Sequence, residues 1–441
     1  MVLISAIVAA LLLPTASLAC LLPEERANDG RRRLGRRQSG NNGTPIGTGD
    51  RFAGGATAPR GLGTQSTSFS TLLNVNEIKS GLQGLASTYG IQTFETPYKT
   101  YNGASILGAK IGGNGTCTSA YKVFINGNIH ARERGSMDNV LYFVSDLLYA
   151  NKNNVGLTYG SKTYTSAQVK TALSAGLVVI PLSNPDGVAY DQSSNGCWRK
   201  NRNPASGTGS SSGVDLNRNF DFVWDFKKYF ASSVQSSVAS TSPSSETFHG
   251  TAAFSEPETK SIKWVLDTYT KISWFLDLHS YAGDVLYSWG TDENQSKYSY
   301  MNFQNSSYNS VRGILTDTPG SGKGYGEYVS TADNTANTAA AQRVGSAMST
   351  AGGRAYTIMQ GASLYPTSGA SDDYAYSRHF ADSTKNLVHS YTVEFGFGND
   401  AASCPFYPTV SQYNTNIKAV GAGFMEFLLA AVDLGLGDGS C

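Results

Sequence analysis

Short apolar runs bounded by turn residues alternate with helix-spaced apolar positions over most of this chain. Val123-Phe-Ile125 leads into Asn-Gly-Asn-Ile-His130, and Met137, Val140, Leu141, Val144, Leu147 and Leu148 then recur at helical spacing. Gly176 to Leu182 reads as a buried strand that ends in a turn at Asn184-Pro-Asp-Gly187. Trp274 to Leu278 is a further strand, followed by Val285-Leu-Tyr287, and Tyr391 to Phe395 is a late one. Ile417 to Leu436 closes the pattern as an amphipathic helix. Strands alternating with helices from about residue 70 predict an α/β domain with a mainly parallel sheet. No fixed-period repeat interrupts the alternation.

The first 66 residues are different material. Residues 1–19 are almost wholly apolar and end with Ser17 and Ala19 in a small-x-small pattern, the form of a secretory signal peptide. The apolar core is short for a membrane span and Pro14 interrupts it, and no later stretch reaches ~18 apolar residues. Residues 20–66 hold Arg31-Arg-Arg-Leu-Gly-Arg-Arg37 and then Gly-, Ser-, Asn- and Thr-rich sequence. This predicts a disordered pro-segment or linker with a dibasic processing site. Residues 67–437 form the predicted catalytic domain and 438–441 a tail.

Composition narrows the class. A net charge of +1 without a basic stripe argues against nucleic acid as a partner. Tyr 25 and Phe 19, spread along the chain, exclude wholesale disorder. Five cysteines occur, and losing Cys20 with the pro-segment leaves Cys117, Cys197, Cys404 and Cys441. Those four can form two disulfides in an extracellular compartment, in any of three pairings. Sequons stand at Asn42, Asn114, Asn294 and Asn305.

The chemistry is found among the five histidines. His130-Ala-Arg-Glu133 follows a strand and is predicted to open a helix, so an imidazole and a carboxylate three residues apart could hold one zinc ion. A catalytic zinc site takes three protein ligands and keeps one position open, and His279, at the end of the Trp274–Leu278 strand, is the candidate third ligand. The helical His-Glu-x-x-His site is absent. Glu394 sits in an apolar strand, where a carboxylate without a role is costly.

The surrounding motifs turn a weak signal into a strong one. His130-Ala-Arg-Glu133, Asn184-Pro-Asp-Gly187, Trp198-Arg-Lys-Asn-Arg202, Gly213-Val-Asp-Leu-Asn-Arg-Asn219, Glu246-Thr-Phe-His-Gly250, Phe254-Ser-Glu-Pro-Glu258, His279-Ser-Tyr281, Tyr365-Pro-Thr-Ser-Gly369 and Tyr391-Thr-Val-Glu-Phe395 follow in that order. The chain from about residue 70 to 436 resembles the zinc metallocarboxypeptidases of the pancreatic carboxypeptidase A/B kind. The resemblance implies a single α/β domain with a mixed, mainly parallel eight-stranded sheet between helices. It implies one Zn2+ held by His130, Glu133 and His279, Glu394 as general base and Arg199 as the cation facing the oxyanion. Asn217, Arg218 and Tyr365 resemble the clamp on the substrate's C-terminal carboxylate, Arg132 and Tyr281 residues further out along the peptide, and Asp215 a partner that orients a ligand histidine. His249 matches a family motif with a structural role.

Three departures accompany the resemblance. Arg134 replaces a frequent Trp, the Tyr365–Glu394 stretch is longer, and the segment before the domain is too short and too polar for a folded pro-domain. Specificity turns on Asp372, which falls at the pocket-floor position that is aspartate in the branch removing C-terminal Lys or Arg and apolar in the A-type branch. Gly290 falls where that branch has a small residue, and Asp373 matches a structural position. The predicted protein is a secreted, monomeric hydrolase acting on peptides or proteins with a free C-terminus, without nucleic acid or membrane. Mixed or A-type specificity and an inactive binding homologue are the alternatives, although an inactive homologue should have lost a ligand or the base.

Overall fold

The computed structural model describes residues 41–113 and 118–436. Eight strands build one sheet: β1 (Gln92–Lys99), β2 (Ser105–Ile111), β3 (Val123–Gly127), β4 (Leu177–Ile180), β5 (Trp274–Ser280), β6 (Asp284–Tyr287), β7 (Thr357–Gln360) and β8 (His389–Phe395). Their spatial order is β1-β2-β4-β3-β5-β8-β6-β7. The β4-β3-β5-β8 block is parallel, as is β6-β7, and β1-β2, β2-β4 and β8-β6 are antiparallel. The mixed, mainly parallel sheet is the one expected from the sequence.

Eight longer helices flank the sheet: α1 (Val75–Tyr89), α2 (Ser136–Asn153), α3 (Ser166–Ser174), α4 (Pro185–Ser194), α5 (Pro257–Thr268), α6 (Thr331–Gly352), α7 (Ser371–Ala381) and α8 (Val410–Leu434). Side-chain alternation along each strand sorts residues between the two faces. Trp274, Leu276 and Leu278 of β5 join Tyr391, Val393 and Phe395 of β8 in the core that also takes in α2, α6 and α8. Asp277 and His279, and Thr392 and Glu394, therefore project from the other face, where Phe275 meets Phe220, Tyr374 and Ala375 of a second core. Among the described residues, no helix is long and apolar enough to cross a membrane.

Four expectations change. His130–Glu133 lies in a turn, and α2 begins only at Ser136, after Gly135 at φ 96°. Asn184-Pro-Asp-Gly187 is the start of α4 rather than a closing turn: Asn184 accepts a hydrogen bond from Gly187 N–H and Pro185 takes the first helical position, where its missing N–H costs nothing. The closing helix begins at Val410 instead of Ile417, capped by Thr409 and Gln412. Residues 41–66, expected to be disordered, are an ordered strap packed against the rest of the fold. Phe52 and Leu62 are buried in the core, Arg51 Nε lies 2.6 Å from Glu77 Oε1, and Thr44 N–H reaches Pro408 O at 2.6 Å. The expected signal peptide, the dibasic segment through residue 40 and the tail 438–441 lie outside the described residues. Of the disulfide possibilities, Cys197–Cys404 is present, spanning 207 positions; Cys20, Cys117 and Cys441 lie outside the described residues.

Candidate active site

The turn after β3 is shaped by Asn128, which adopts φ 53°. Its Nδ2 donates to His130 O at 3.1 Å and to Glu133 O at 3.4 Å, and its Oδ1 accepts from Met137 N–H at 2.9 Å. The turn aims His130 and Glu133 at the C-terminal end of β5, beside the point where β3 has parallel neighbours on both sides. Ligands of open α/β sheets gather at such crevices.

His130, Glu133 and His279 converge there, all fully buried. His130 Nδ1 lies 2.7 Å from Glu133 Oε1, His279 Nδ1 lies 3.3 Å from Glu133 Oε2, and the two Nδ1 atoms are 3.1 Å apart. Zinc–nitrogen bonds of about 2.0–2.1 Å in a tetrahedron would set two nitrogens about 3.3 Å apart. The far side of each ring faces another carboxylate: His130 Nε2 is 3.0 Å from Asp215 Oδ1 and His279 Nε2 is 3.3 Å from Asp277 Oδ2. A proton on each Nε2, facing its carboxylate, would turn both Nδ1 lone pairs towards Glu133. Two lone pairs and a carboxylate crowded together call for a cation, so the donor set fits zinc. Burial pushes the Glu133 carboxyl up, but the two imidazoles outweigh burial and hold it at about 2.

Asp277 was not picked out from the sequence, although a carboxylate two residues before a strand histidine shares its face and was a readable signal. Asn126 Nδ2 at 2.8 Å and Ser371 Oγ at 2.5 Å anchor it. Asp215 receives Arg199 through Nη2 at 3.0 Å and Nε at 3.2 Å. Burial alone would raise its pKa; Arg199 and His130 hold it well below the usual carboxylate range. Arg199 thereby stands with Nη1 3.3 Å from His130 Nδ1, a fixed charge beside the ligand cluster. In the parallel β5–β8 ladder Glu394 is directly opposite His279, which brings the two side chains onto one face as neighbours.

The other candidates surround this cluster. Arg218 is 1% exposed; its Nε donates to Val238 O at 2.8 Å and its Nη1 to Asn217 O at 2.7 Å, while Nη2 is buried with no protein acceptor. Asn217 Oδ1 accepts from Ser371 N–H at 2.8 Å. Half-buried Tyr365 places its ring centroid 5.9 Å from the Arg218 guanidinium. Arg132 lies 4.3 Å from the centroid of Phe406, and Phe406 packs edge-on to Tyr281 at 4.8 Å.

Asp372, 7% exposed at the start of α7, accepts from Asp373 N–H at 2.9 Å and from Thr392 Oγ1 at 3.0 Å. Asp373 takes Gly290 N–H on both oxygens at 2.9 Å. A Cβ at Gly290 would come within 2.7 Å of Thr367 Oγ1 and 3.0 Å of Asp373 Oδ2, so any larger residue would displace these side chains. His249 stacks on Trp224 at 4.2 Å, away from the ligand cluster's hydrogen bonds. Arg134 pairs with Asp191 through Nε at 2.9 Å and reaches Asn42 O of the strap at 3.3 Å.

The profile of the zinc carboxypeptidase family matches residues 78–420. Zinc carboxypeptidase A 1 of Drosophila melanogaster is 32% identical over 238 residues, covering 53% of this chain and 49% of that protein. Carboxypeptidase B of Bos taurus is 29% identical over 335 residues, covering 75% of this chain and 64% of that protein. The chain thus spans about half to two thirds of the length of these relatives. The crystal structure of the carboxypeptidase A from Helicoverpa armigera superposes with a TM-score of 0.59 at 22% identity, over 86% of this chain and 78% of that one, a likeness of fold.

Proposed function

The chain belongs to the zinc carboxypeptidase family, and on that premise we propose that it is a secreted zinc exopeptidase that hydrolyses the C-terminal peptide bond of peptides and proteins, releasing Lys or Arg. The observation that carries this reading is the convergence of His130 Nδ1, His279 Nδ1 and Glu133 with a carboxylate behind each ring. These three residues would hold zinc, which supplies Lewis acidity to the scissile carbonyl and to water.

The chain's own residues do the rest. Glu394 takes the proton of the attacking water and passes it to the leaving amine. Arg199, fixed by Asp215, faces the developing oxyanion, where a pre-positioned charge acts most strongly on the transition state. Arg218 turns its unmatched Nη2 to the substrate's terminal carboxylate, beside Asn217, and Tyr365 closes over the same group. Arg132 and Tyr281 line the path of the preceding residues.

Basic specificity is supported by the surroundings of Asp372. Its two protein donors are neutral, and burial raises its pKa. A buried carboxylate of this kind favours a ligand that brings a cation. Secretion is supported by residues 1–19 and by the Cys197–Cys404 bond, which suits an oxidising compartment. Residues 20–37 would be the segment removed at Arg37, leaving a monomer that begins near the strap.

The test is a panel of peptides differing only in the last residue, incubated with zinc-loaded protein. Stepwise loss of C-terminal Lys or Arg ahead of Leu or Phe is expected. Preference for Leu or Phe by kcat/KM would replace the basic assignment with an A-type one, and internal cleavage would reject the exopeptidase reading.

A further inference from the structure

One buried acid on the cleft face has no part in the chemistry above. Asp284 opens β6 directly opposite Glu394 in the antiparallel β6–β8 ladder, and Glu394 is in turn opposite His279. Opposed residues point to the same face with Cβ atoms about 4.5–5.5 Å apart. His279, Glu394 and Asp284 therefore form one row across the face that carries the ligands. The row behind it is Asp277, Thr392 and Leu286, and Thr392 donates to Asp372. Two strand residues at ~3.4 Å each separate the rows by about 7 Å. Asp284 thus stands one row nearer the C-terminal end of β8 than Thr392, the residue that holds Asp372.

The surroundings of Asp284 give it no counter-charge. It is 5% exposed and is followed by Val285 and Leu286. Burial raises its pKa to about 7, and only the hydroxyl of Thr357, on the edge strand, works in the other direction. Burying a carboxylate without a cation is costly, and a strand position beside apolar residues is filled more cheaply by leucine or valine.

We propose that Asp284 is a second specificity-determining carboxylate that, with Asp372, receives the guanidinium of a C-terminal arginine. An ammonium is a single point of charge, whereas a guanidinium presents five N–H groups in a planar fork that can serve two carboxylates at once. The site therefore prefers C-terminal Arg to Lys. This inference rests on the exopeptidase reading above.

The test measures kcat/KM of zinc-loaded parent, Asp284→Asn and Asp372→Asn on peptides ending in Arg, Lys and Leu. Asp284→Asn is expected to lose about tenfold or more on the Arg peptide, less on Lys, and little on Leu. Asp372→Asn should lose on Arg and Lys alike. Asp284→Leu, matched to its strand neighbours, should repeat the selective Arg loss while melting no lower than the parent. Calorimetric binding of L-arginine should weaken in both Asp284 variants, and that of L-leucine should not. Equal loss on all three peptides, or no loss on Arg, overturns the role of Asp284. A parent that prefers Leu overturns basic specificity and this inference with it, and a parent that releases no terminal residue overturns the exopeptidase reading beneath both.

Discussion

Replacing Arg218 by glutamine isolates the recognition of the free C-terminus. In the folded protein Nε and Nη1 of Arg218 are held by Val238 O and Asn217 O, and Nη2 is left without an acceptor although the side chain is 1% exposed. Removing the guanidinium forfeits two hydrogen bonds, about 0.5–1.5 kcal/mol each, but also relieves an unmatched buried charge, so folding stability should change little. The substrate carboxylate has more to lose. Truncating one partner of a buried, hydrogen-bonded charge pair costs about 2–5 kcal/mol. At ~1.36 kcal/mol per decade this is roughly 30-fold to several thousand-fold in kcat/KM. The assay pairs a blocked dipeptide with its C-terminal amide. Parent protein should favour the acid by that factor, Arg218→Gln should lose it on the acid alone, and Arg218→Lys should recover only part because it lacks the planar fork. An equal loss on acid and amide would show that Arg218 supports the fold of the site and does not grip the terminal carboxylate.

Glu394→Gln should bind zinc as the parent does by elemental analysis and lose about 10²–10⁴-fold in turnover; comparable turnover would exclude Glu394 as the base. Glu258 is fully buried, and burial together with the charge of Glu256 lifts its pKa to about 8. The folded state then holds a proton that the unfolded chain releases near pH 4.5, so this contribution is complete below that pH and is lost as pH rises towards 8, at no more than about 1.4 kcal/mol per pH unit. Denaturant titrations of Glu258→Gln should show a gain over the parent that grows from pH 5 to pH 8, and a constant difference would place the proton elsewhere. Deleting residues 41–46 removes Thr44 N–H and Oγ1 from Pro408 O and Asn41 O from Ser403 N–H, about 2–4 kcal/mol at ~1 kcal/mol each with packing. A lower melting temperature and a raised KM are expected, because the same loop carries Phe406 beside Arg132 and Tyr281; an unchanged melting temperature would mean the strap is dispensable.

The sheet was legible because its central strands are continuous apolar runs: Val123 to Ile125, Leu177 to Ile180 and Trp274 to Leu278 can only be buried. The convergence of His130, Glu133 and His279 was legible from residue type and order. What escaped was anything set by distant partners. The strap reads as polar linker because its anchors, Glu77, Tyr142 and Pro408, lie up to 364 positions away. The Cys197–Cys404 bond was one of several pairings that spacing could not separate. His130–Glu133 was expected on a helix because the apolar periodicity begins soon after it, but Gly135 at φ 96° delays the helix to Ser136. Asn184 suits a turn, and in the βα connection between β4 and α4 the same residue caps the helix. Asp284 and Asp277 became visible only through strand register, which puts them in rows with Glu394 and Thr392.

The reading stands or falls on whether a single zinc ion at the His130–Glu133–His279 cluster drives removal of a C-terminal residue. Metal-free protein titrated with zinc, with heat and released arginine followed together, answers this directly. Both signals should break at one equivalent, and His279→Ala should lose both together. Arginine release that ignores added zinc, or zinc uptake that survives His279→Ala with activity intact, would place the metal or the chemistry elsewhere.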